Sequence, residues 1–288
     1  LGNLYDFDPS GNAVPYDRMP EIDRWMLHKL AELIRRVRET YDRYEFHTFY
    51  QTFHNFCAVD LSASYLDVIK DRLYCEKADS EARRSAQTVL HRLADAMVRL
   101  MAPILAFTAE EVWERLPGDP TGREPSVHLA LFPQAEEKHI NENLAKRWEG
   151  LLGVREVVSK ALEVQRQEKG LGSALNAKVK IKLLENFWFP GKPNAAVRFE
   201  DFLKEYEQDG DPSTLKTLFI VSDVEIEPYS DASSPSDSAT WADIEQHLQV
   251  TVEAAEGEKC ERCWMVLPSV GRNAAHPTLC GRCAAILE

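Results

Sequence analysis

Four cysteines near the C-terminus constrain the fold of this chain more than any other sequence feature. Two residues separate Cys260 from Cys263 and Cys280 from Cys283, and sixteen residues lie between the two pairs. Each pair places two sulfur atoms on one side of a tight turn. Two such turns facing each other surround a metal ion tetrahedrally at about 2.3 Å. Burying four thiolates is unfavourable unless a cation neutralises them, so the metal and the local fold are expected together.

Zinc is the metal that this cysteine spacing predicts, with one ion per chain. All four ligands are protein sulfur, which leaves no open position for an activated water, so the site is expected to be structural. Iron could occupy the same four-sulfur geometry. The cysteines could instead form two disulfides or a redox-active pair. Disulfides need an oxidising compartment, for which the sequence carries no signal, and a redox pair normally occurs singly.

The charge of the chain is strongly segregated. The net charge of −13 argues at first sight against a nucleic-acid partner. Residues 183–258 alone contain 17 acids and 4 bases, which is −13, whereas residues 141–182 carry +4 and residues 259–288 carry +2. A local patch decides whether phosphate can dock, so the acidic sum does not exclude RNA.

The sequence shows no sign of secretion or membrane insertion. The first residues have neither a basic start nor an apolar signal core. No apolar run approaches the roughly 20 residues that a membrane helix needs. The sequence therefore predicts a cytoplasmic protein with no membrane partner.

Apolar residues recur at three- and four-residue steps through the first half of the chain, which predicts amphipathic helices. Short connections between them favour a helical bundle. The fourth helix is placed by the capping-box spacing of Thr108 and Glu111. Four helices are predicted. The first starts at Glu21, the second covers 47–73, the third extends from Ser80 to an interruption at Pro103, and the fourth extends from Thr108 to Leu116.

The second half predicts a longer helix and then a small α+β region. Alternation of Val179, Ile181 and Leu183 with lysines indicates a half-buried strand. The predicted elements are helices over 136–169 and 199–207, strands over 179–183, 218–226 and 248–252, and a loop over 228–240. The fold class is therefore mainly α, and the expected domains are a bundle over 1–134, an α+β subdomain over 135–257 and a zinc module over 258–288.

Several short segments resemble, in the same order along the chain, the C-terminal region of bacterial-type isoleucyl-tRNA synthetases. The segments are Leu-Gly-Asn-Leu-Tyr-Asp-Phe at 1–7, Asn-Phe-Cys-Ala-Val-Asp-Leu-Ser at 55–62, Lys-Asp-Arg-Leu-Tyr at 70–74, Leu-Gly-Ser-Ala-Leu at 171–175, and the two cysteine pairs with Arg262, Trp264 and Arg282. The resemblance spans nearly the whole chain, and the order of the segments makes it specific.

The resemblance implies a helical anticodon-binding domain whose parent enzyme joins isoleucine to its tRNA, using ATP through an aminoacyl-adenylate. The histidine and lysine signatures of the catalytic domain are absent from these residues. ATP is therefore expected to bind only in a catalytic domain upstream, and the chain to be an excised fragment that is inactive alone. The expected partner is the anticodon stem-loop of isoleucine tRNA, bound by a monomer.

Two residues of the metal module are the foremost candidates for RNA contact. Arg262 offers a planar donor fork and Trp264 a stacking ring, although a tryptophan there could instead cover a very small core. On the bundle, the weaker candidates are Arg43, Phe46, Lys70 and Arg72.

Two further functions stay open from the sequence alone. One is a nucleic-acid-binding module of DNA-repair glycosylase type, whose terminal four-cysteine finger looks similar but which leaves the bundle unexplained. The second is a zinc-stabilised scaffold without RNA contact.

Overall fold

A computed structural model describes residues 1–184, 188–190, 196–207, 214–229 and 244–288. The chain divides into two compact units, Leu1–Asn141 and Glu142–Glu288. The three-domain division drawn from the sequence stays a prediction. Among the helices that the structure describes, none combines the length and the apolar character needed to cross a bilayer.

The first unit is a helical bundle, as predicted. Its helices bury apolar stripes, and α1 (Glu21–Asp42) alone buries Trp25, Leu30 and Val37 almost completely. Ser80 begins α4 as predicted, because its hydroxyl accepts the amide proton of Arg83. The elements are α1 (Glu21–Asp42), α2 (Phe46–Asn55), a π-helical segment (Phe56–Leu66), α3 (Lys70–Cys75), α4 (Glu81–Met101), α5 (Ala106–Glu114), and short 3-10 turns at Gly2–Leu4, Tyr16–Arg18, Pro120–Gly122, Val127–Leu129 and Glu137–His139.

The helix predicted over 47–73 is interrupted, because Phe56–Leu66 winds as a π-helix between α2 and α3. The Ser64 hydroxyl donates to the Val59 carbonyl oxygen, five residues earlier, at 3.0 Å. A periodicity of 3.6 residues does not anticipate the wider turn. The fourth predicted helix is also misplaced, since α5 begins at Ala106 and no side chain caps it.

A buried ion pair connects several elements of the bundle. The carboxylate of Asp23 in α1 accepts hydrogen bonds from the two terminal guanidinium nitrogens of Arg72, at 2.7 and 3.0 Å, and from the Tyr65 hydroxyl, at 2.8 Å. The Ser85 hydroxyl of α4 also donates to this carboxylate. Asp23 is wholly buried and Arg72 is only 3% exposed. These contacts join α1, the π-helical segment, α3 and α4 around one charge pair.

The second unit contains a small mixed sheet of three strands, β1 (Ala177–Leu183), β4 (Asp223–Glu227) and β5 (Leu248–Ala254). The strand order is β4–β1–β5, with β1 parallel to β4 and antiparallel to β5. Val179 and Ile181 of β1 are wholly buried. The intervening Lys178 and Lys180 form ion pairs with acids of the neighbouring strands. The elements are α6 (Glu142–Lys169), a 3-10 turn (Ala174–Asn176), β1 (Ala177–Leu183), β2 (Trp188–Pro190), β3 (Ala196–Arg198), α7 (Phe199–Lys204), α8 (Leu215–Phe219), β4 (Asp223–Glu227), α9 (Ile244–His247), β5 (Leu248–Ala254), β6 (Glu258–Lys259), β7 (Val266–Leu267) and α10 (Gly281–Leu287).

The strands predicted over 179–183 and 248–252 are confirmed, but the one over 218–226 is wrong in its first half. There α8 ends at Phe219, because the next residue, Ile220, has a left-handed φ of 58° that stops the helix before β4 begins. Because an apolar run of this length fits a buried strand or a short helix equally well, periodicity alone did not separate them. Most of the loop predicted over 228–240 lies outside the described residues.

Candidate metal centre and nucleic-acid interface

The four predicted cysteine ligands converge at one point. All four side chains are buried, and their sulfur atoms lie within 4.8 Å of one another. The Cys263 and Cys280 sulfur atoms are 3.8 Å apart, which matches the edge of about 3.8 Å of a sulfur tetrahedron with arms of 2.3 Å. The donor set and its dimensions fit a tetrahedral zinc ion.

Local backbone contacts hold the two turns in register. The first turn lies in the hairpin of β6 and β7, where the Cys260 amide donates to the Met265 carbonyl oxygen at 2.9 Å. The second turn precedes α10. Its Cys280 amide donates to the Cys260 sulfur at 3.3 Å and so joins the two turns across the site.

The electrostatics of the cluster favour a bound cation. The hydrogen bond from Cys283 lowers the pKa of Cys263 to about 5. The pKa of Cys283 is raised far above its usual range, chiefly by this hydrogen bond. Burial raises the pKa of Cys280. Four closely packed sulfur atoms therefore cannot all ionise by themselves, and a divalent cation supplies the charge that lets them do so.

Gly257 permits the close approach of the hairpin strands that carry the first turn. Its φ is 111°, and a Cβ atom there would lie 2.5 Å from the Leu267 carbonyl oxygen. We expect Gly257→Ala to destabilise the metal module by about 2 kcal/mol, through backbone strain and steric overlap. Zinc release to a chromogenic chelator would then be faster.

Gly281→Ala is the matched control within the same module. A Cβ at Gly281 would make only an ordinary contact of 3.8 Å with Ser269. Equal zinc-release rates for the two variants would refute the role assigned to Gly257.

A buried serine joins the metal module to the sheet. The Ser222 hydroxyl accepts the Val266 amide proton at 2.7 Å and donates to the Leu175 carbonyl oxygen. The Ser222 amide donates to the Ala177 carbonyl oxygen at 3.1 Å. The hairpin of the metal module is therefore attached to the sheet by hydrogen bonds, in addition to being held by its cysteine ligands.

Trp264 presents its indole ring to solvent. It follows the ligand Cys263 with a φ of 65°, a left-handed conformation that a bulky residue rarely adopts. Its amide donates to the Cys260 carbonyl oxygen at 2.9 Å, and 61% of the residue is exposed. The indole is therefore not the buried cover of a very small core. Arg262, on the other side of Cys263, is half-buried.

The bundle candidates fall into different environments. Arg43, at the end of α1, is exposed, and Phe46, at the start of α2, is 50% exposed. Lys70 is exposed and forms an ion pair with Asp67 at 2.8 Å. Arg72 requires a correction, because its guanidinium is buried against Asp23 and cannot reach an RNA without breaking the bundle core. Spacing on a helix did not reveal that this arginine faces inward.

Two known protein families match parts of this chain. Residues 23–181 match the family described as the anticodon-binding domain of tRNA ligase. Residues 257–286 match the zinc finger found in FPG and IleRS. The first match covers more than half of the chain, so this protein belongs to the family of anticodon-binding domains of tRNA ligases. The finger, together with the buried four-sulfur cluster, holds one structural zinc.

Bacterial isoleucine–tRNA ligases are similar to this chain over its whole length, which confirms the resemblance drawn from the sequence. The enzymes of Moorella thermoacetica, Caldanaerobacter subterraneus and Carboxydothermus hydrogenoformans are 47%, 41% and 45% identical to it. Each comparison covers 100% of this chain but only 28–29% of the relative. Because the similarity includes the bundle as well as the finger, the glycosylase hypothesis is not supported.

Proposed function

We propose that this chain recognises the anticodon stem-loop of isoleucine tRNA and acts as the tRNA-selecting part of an isoleucine–tRNA ligase. The parent enzyme would attach isoleucine to its tRNA using ATP, and the ATP site would lie in a catalytic domain outside these residues. We further propose that the protein is a monomer and that it is located in the cytoplasm, where its partner, the tRNA, is used in protein synthesis.

The observation that carries this proposal is the exposed indole of Trp264 on a turn closed by metal ligands. RNA loops are recognised by stacking unpaired bases on aromatic and guanidinium planes. A side chain on a turn held by a metal loses little conformational entropy on binding. Arg262, two residues earlier on the same turn and half-buried, supplies a guanidinium. Arg43, Phe46 and Lys70 of the bundle are further proposed contacts, whereas Arg72 is withdrawn.

We expect Trp264→Ala to weaken binding of the anticodon stem-loop of isoleucine tRNA about 5- to 150-fold, the usual effect of losing one base–aromatic stack. The measurement is fluorescence anisotropy of the labelled stem-loop titrated with the whole chain. Leu287→Ala is the matched control, because Leu287 is an apolar residue of the same module, 50% exposed, without a π-face. Equal affinities for the two variants would contradict the proposal.

Three further measurements separate this function from a scaffold and from a glycosylase-type module. Binding that weakens as salt rises indicates phosphate contacts, whereas a scaffold without RNA contact shows no salt-dependent binding. Competition by damaged duplex DNA, rather than by the stem-loop, would favour the glycosylase type. In the full-length enzyme, Trp264→Ala should slow tRNA charging and leave isoleucine-dependent ATP–pyrophosphate exchange intact. A parallel loss of both activities would contradict a role in tRNA selection.

A further inference from the structure

The exposed side of α2 carries two parallel rows of side chains that the helix spacing aligns. Residues four apart on a helix lie on the same face, about 6 Å from each other along the axis. One row is aromatic and consists of Phe46, Tyr50 and His54. The neighbouring row is polar and consists of His47, Gln51 and Asn55. All six residues are exposed.

The inner side of α2 carries a second pair of rings, of which Phe49 is buried and Phe53 half-buried. Tyr50 is 65% exposed and stacks with His54 at a ring distance of 5.6 Å. Beneath the row, Phe49 is 5% exposed and stacks with Phe53 at 5.3 Å. Phe46 and Tyr50 nevertheless stay 50% and 65% exposed, so much of each ring is accessible from solvent.

Tyr44 extends this row beyond the start of α2. It is 80% exposed and has a left-handed φ of 57°. Its ring lies 6.3 Å from that of Phe46, nearly perpendicular to it. The left-handed conformation ends α1, because the Glu45 amide donates back to the Thr40 carbonyl oxygen at 2.8 Å.

The polar row offers hydrogen-bonding groups beside the rings. In the part of the chain that the structure describes, the side-chain amides of Gln51 and Asn55 form no hydrogen bond with other protein groups. Each amide presents two donor hydrogens and an acceptor oxygen. That combination can match the mixed donor and acceptor edge of a nucleobase.

The charge of this face suits a polyanion. Residues 46–59 contain no aspartate or glutamate, although the chain has 47 of them and a net charge of −13. Arg43 is exposed three residues before α2 begins, between the exposed Asp42 and the half-buried Glu45. An RNA backbone can approach this face without the carboxylate repulsion that most of the chain would present.

We propose that the exposed face of α2 binds unpaired bases of an RNA loop, which stack on Phe46 and Tyr50 and hydrogen-bond at their edges to Gln51 and Asn55. The inference rests on the proposed function and lies within the part of the chain that matches the anticodon-binding family. It assigns to this helix both the stacking and the reading of bases, in addition to the contact proposed for Trp264.

The test uses the whole chain and an anticodon stem-loop of isoleucine tRNA with 2-aminopurine in the loop. Tyr50→Leu should weaken binding about 5- to 150-fold and abolish the quenching of 2-aminopurine that stacking causes. Tyr50→Phe should keep both properties. Gln51→Ala should reduce the difference in affinity between the cognate loop and a loop with one changed base. Phe107→Leu in α5 is the matched control, since Phe107 is 93% exposed but lies apart from α2 in the sequence.

The outcomes distinguish this inference from the proposed function. If the wild-type chain binds no stem-loop, both fail. If the wild-type chain binds and Trp264→Ala weakens binding, but Tyr50→Leu behaves like Phe107→Leu, only the role of α2 is overturned. If Tyr50→Leu changes sedimentation of the chain without changing RNA affinity, the face is a contact between copies of the protein, and the inference is again overturned.

Discussion

Cys263→Ser is expected to abolish stoichiometric zinc binding and to unfold residues 258–288. A segment of about thirty residues cannot bury enough apolar surface to fold alone. Structural zinc contributes about 10–16 kcal/mol to small metal modules of this kind. Zinc content by mass spectrometry and hydrogen exchange of the module measure the two effects. The wild-type chain should hold one zinc and protect two amides: that of Cys260, which donates to the Met265 carbonyl oxygen in its own turn, and that of Cys280, which donates across the site to the Cys260 sulfur.

Cys57→Ser provides the matched control for the loss of a ligand. Cys57 is a half-buried thiol in the π-helical segment, away from the four-sulfur cluster in the sequence. This variant should keep one zinc per chain and an unchanged exchange pattern over the module. Because protons compete with the metal for thiolates, acidification should release zinc from the wild-type chain. A module that stays protected after complete removal of zinc would contradict the structural role of the metal.

Asp23→Ala is expected to lower the free energy of unfolding of the bundle by about 3–5 kcal/mol. The change leaves the guanidinium of Arg72 buried without its counter-charge, which is among the most destabilising single defects in a protein core. It also removes the acceptor of the Tyr65 and Ser85 hydroxyls. Urea denaturation followed by circular dichroism measures the loss.

Arg18→Ala is the control, because it removes an ion pair that is exposed rather than buried. Arg18 and Glu81 contact each other with side chains that are 58% and 48% exposed. Such a pair contributes no more than about 1 kcal/mol. Replacing Asp23 and Arg72 together by apolar residues should recover much of the stability. A loss for Asp23→Ala as small as that for Arg18→Ala would disprove the importance of the buried pair.

Features that depend on neighbours in the sequence could be predicted. The start of α1 at Glu21, the capping of α4 by Ser80 and the lysine-faced strand β1 each follow from local spacing or capping. The metal ligands are the clearest case, because two residues between cysteines already place their sulfur atoms on one side of a turn.

Features that depend on distant neighbours could not be predicted. The inward position of Arg72 follows from its contact with Asp23, which lies 49 residues earlier in the chain. Of the two rows on α2, the sequence analysis named only Phe46 as a candidate contact, although the absence of acids over 46–59 was a further signal. That signal shows where a polyanion is tolerated but not which rings are left exposed.

Local sequence determines the features of this protein that depend on nearby residues, and tertiary structure decides those that depend on distant ones. Spacing along the chain specifies which residues can form a turn, a helix face or a metal cluster, since these depend on bond geometry over a few residues. Burial depends on which elements pack together. Tertiary packing therefore assigned Arg72 to the core, left the indole of Trp264 in solvent, and turned one face of α2 outward with its rings and amides available for a partner.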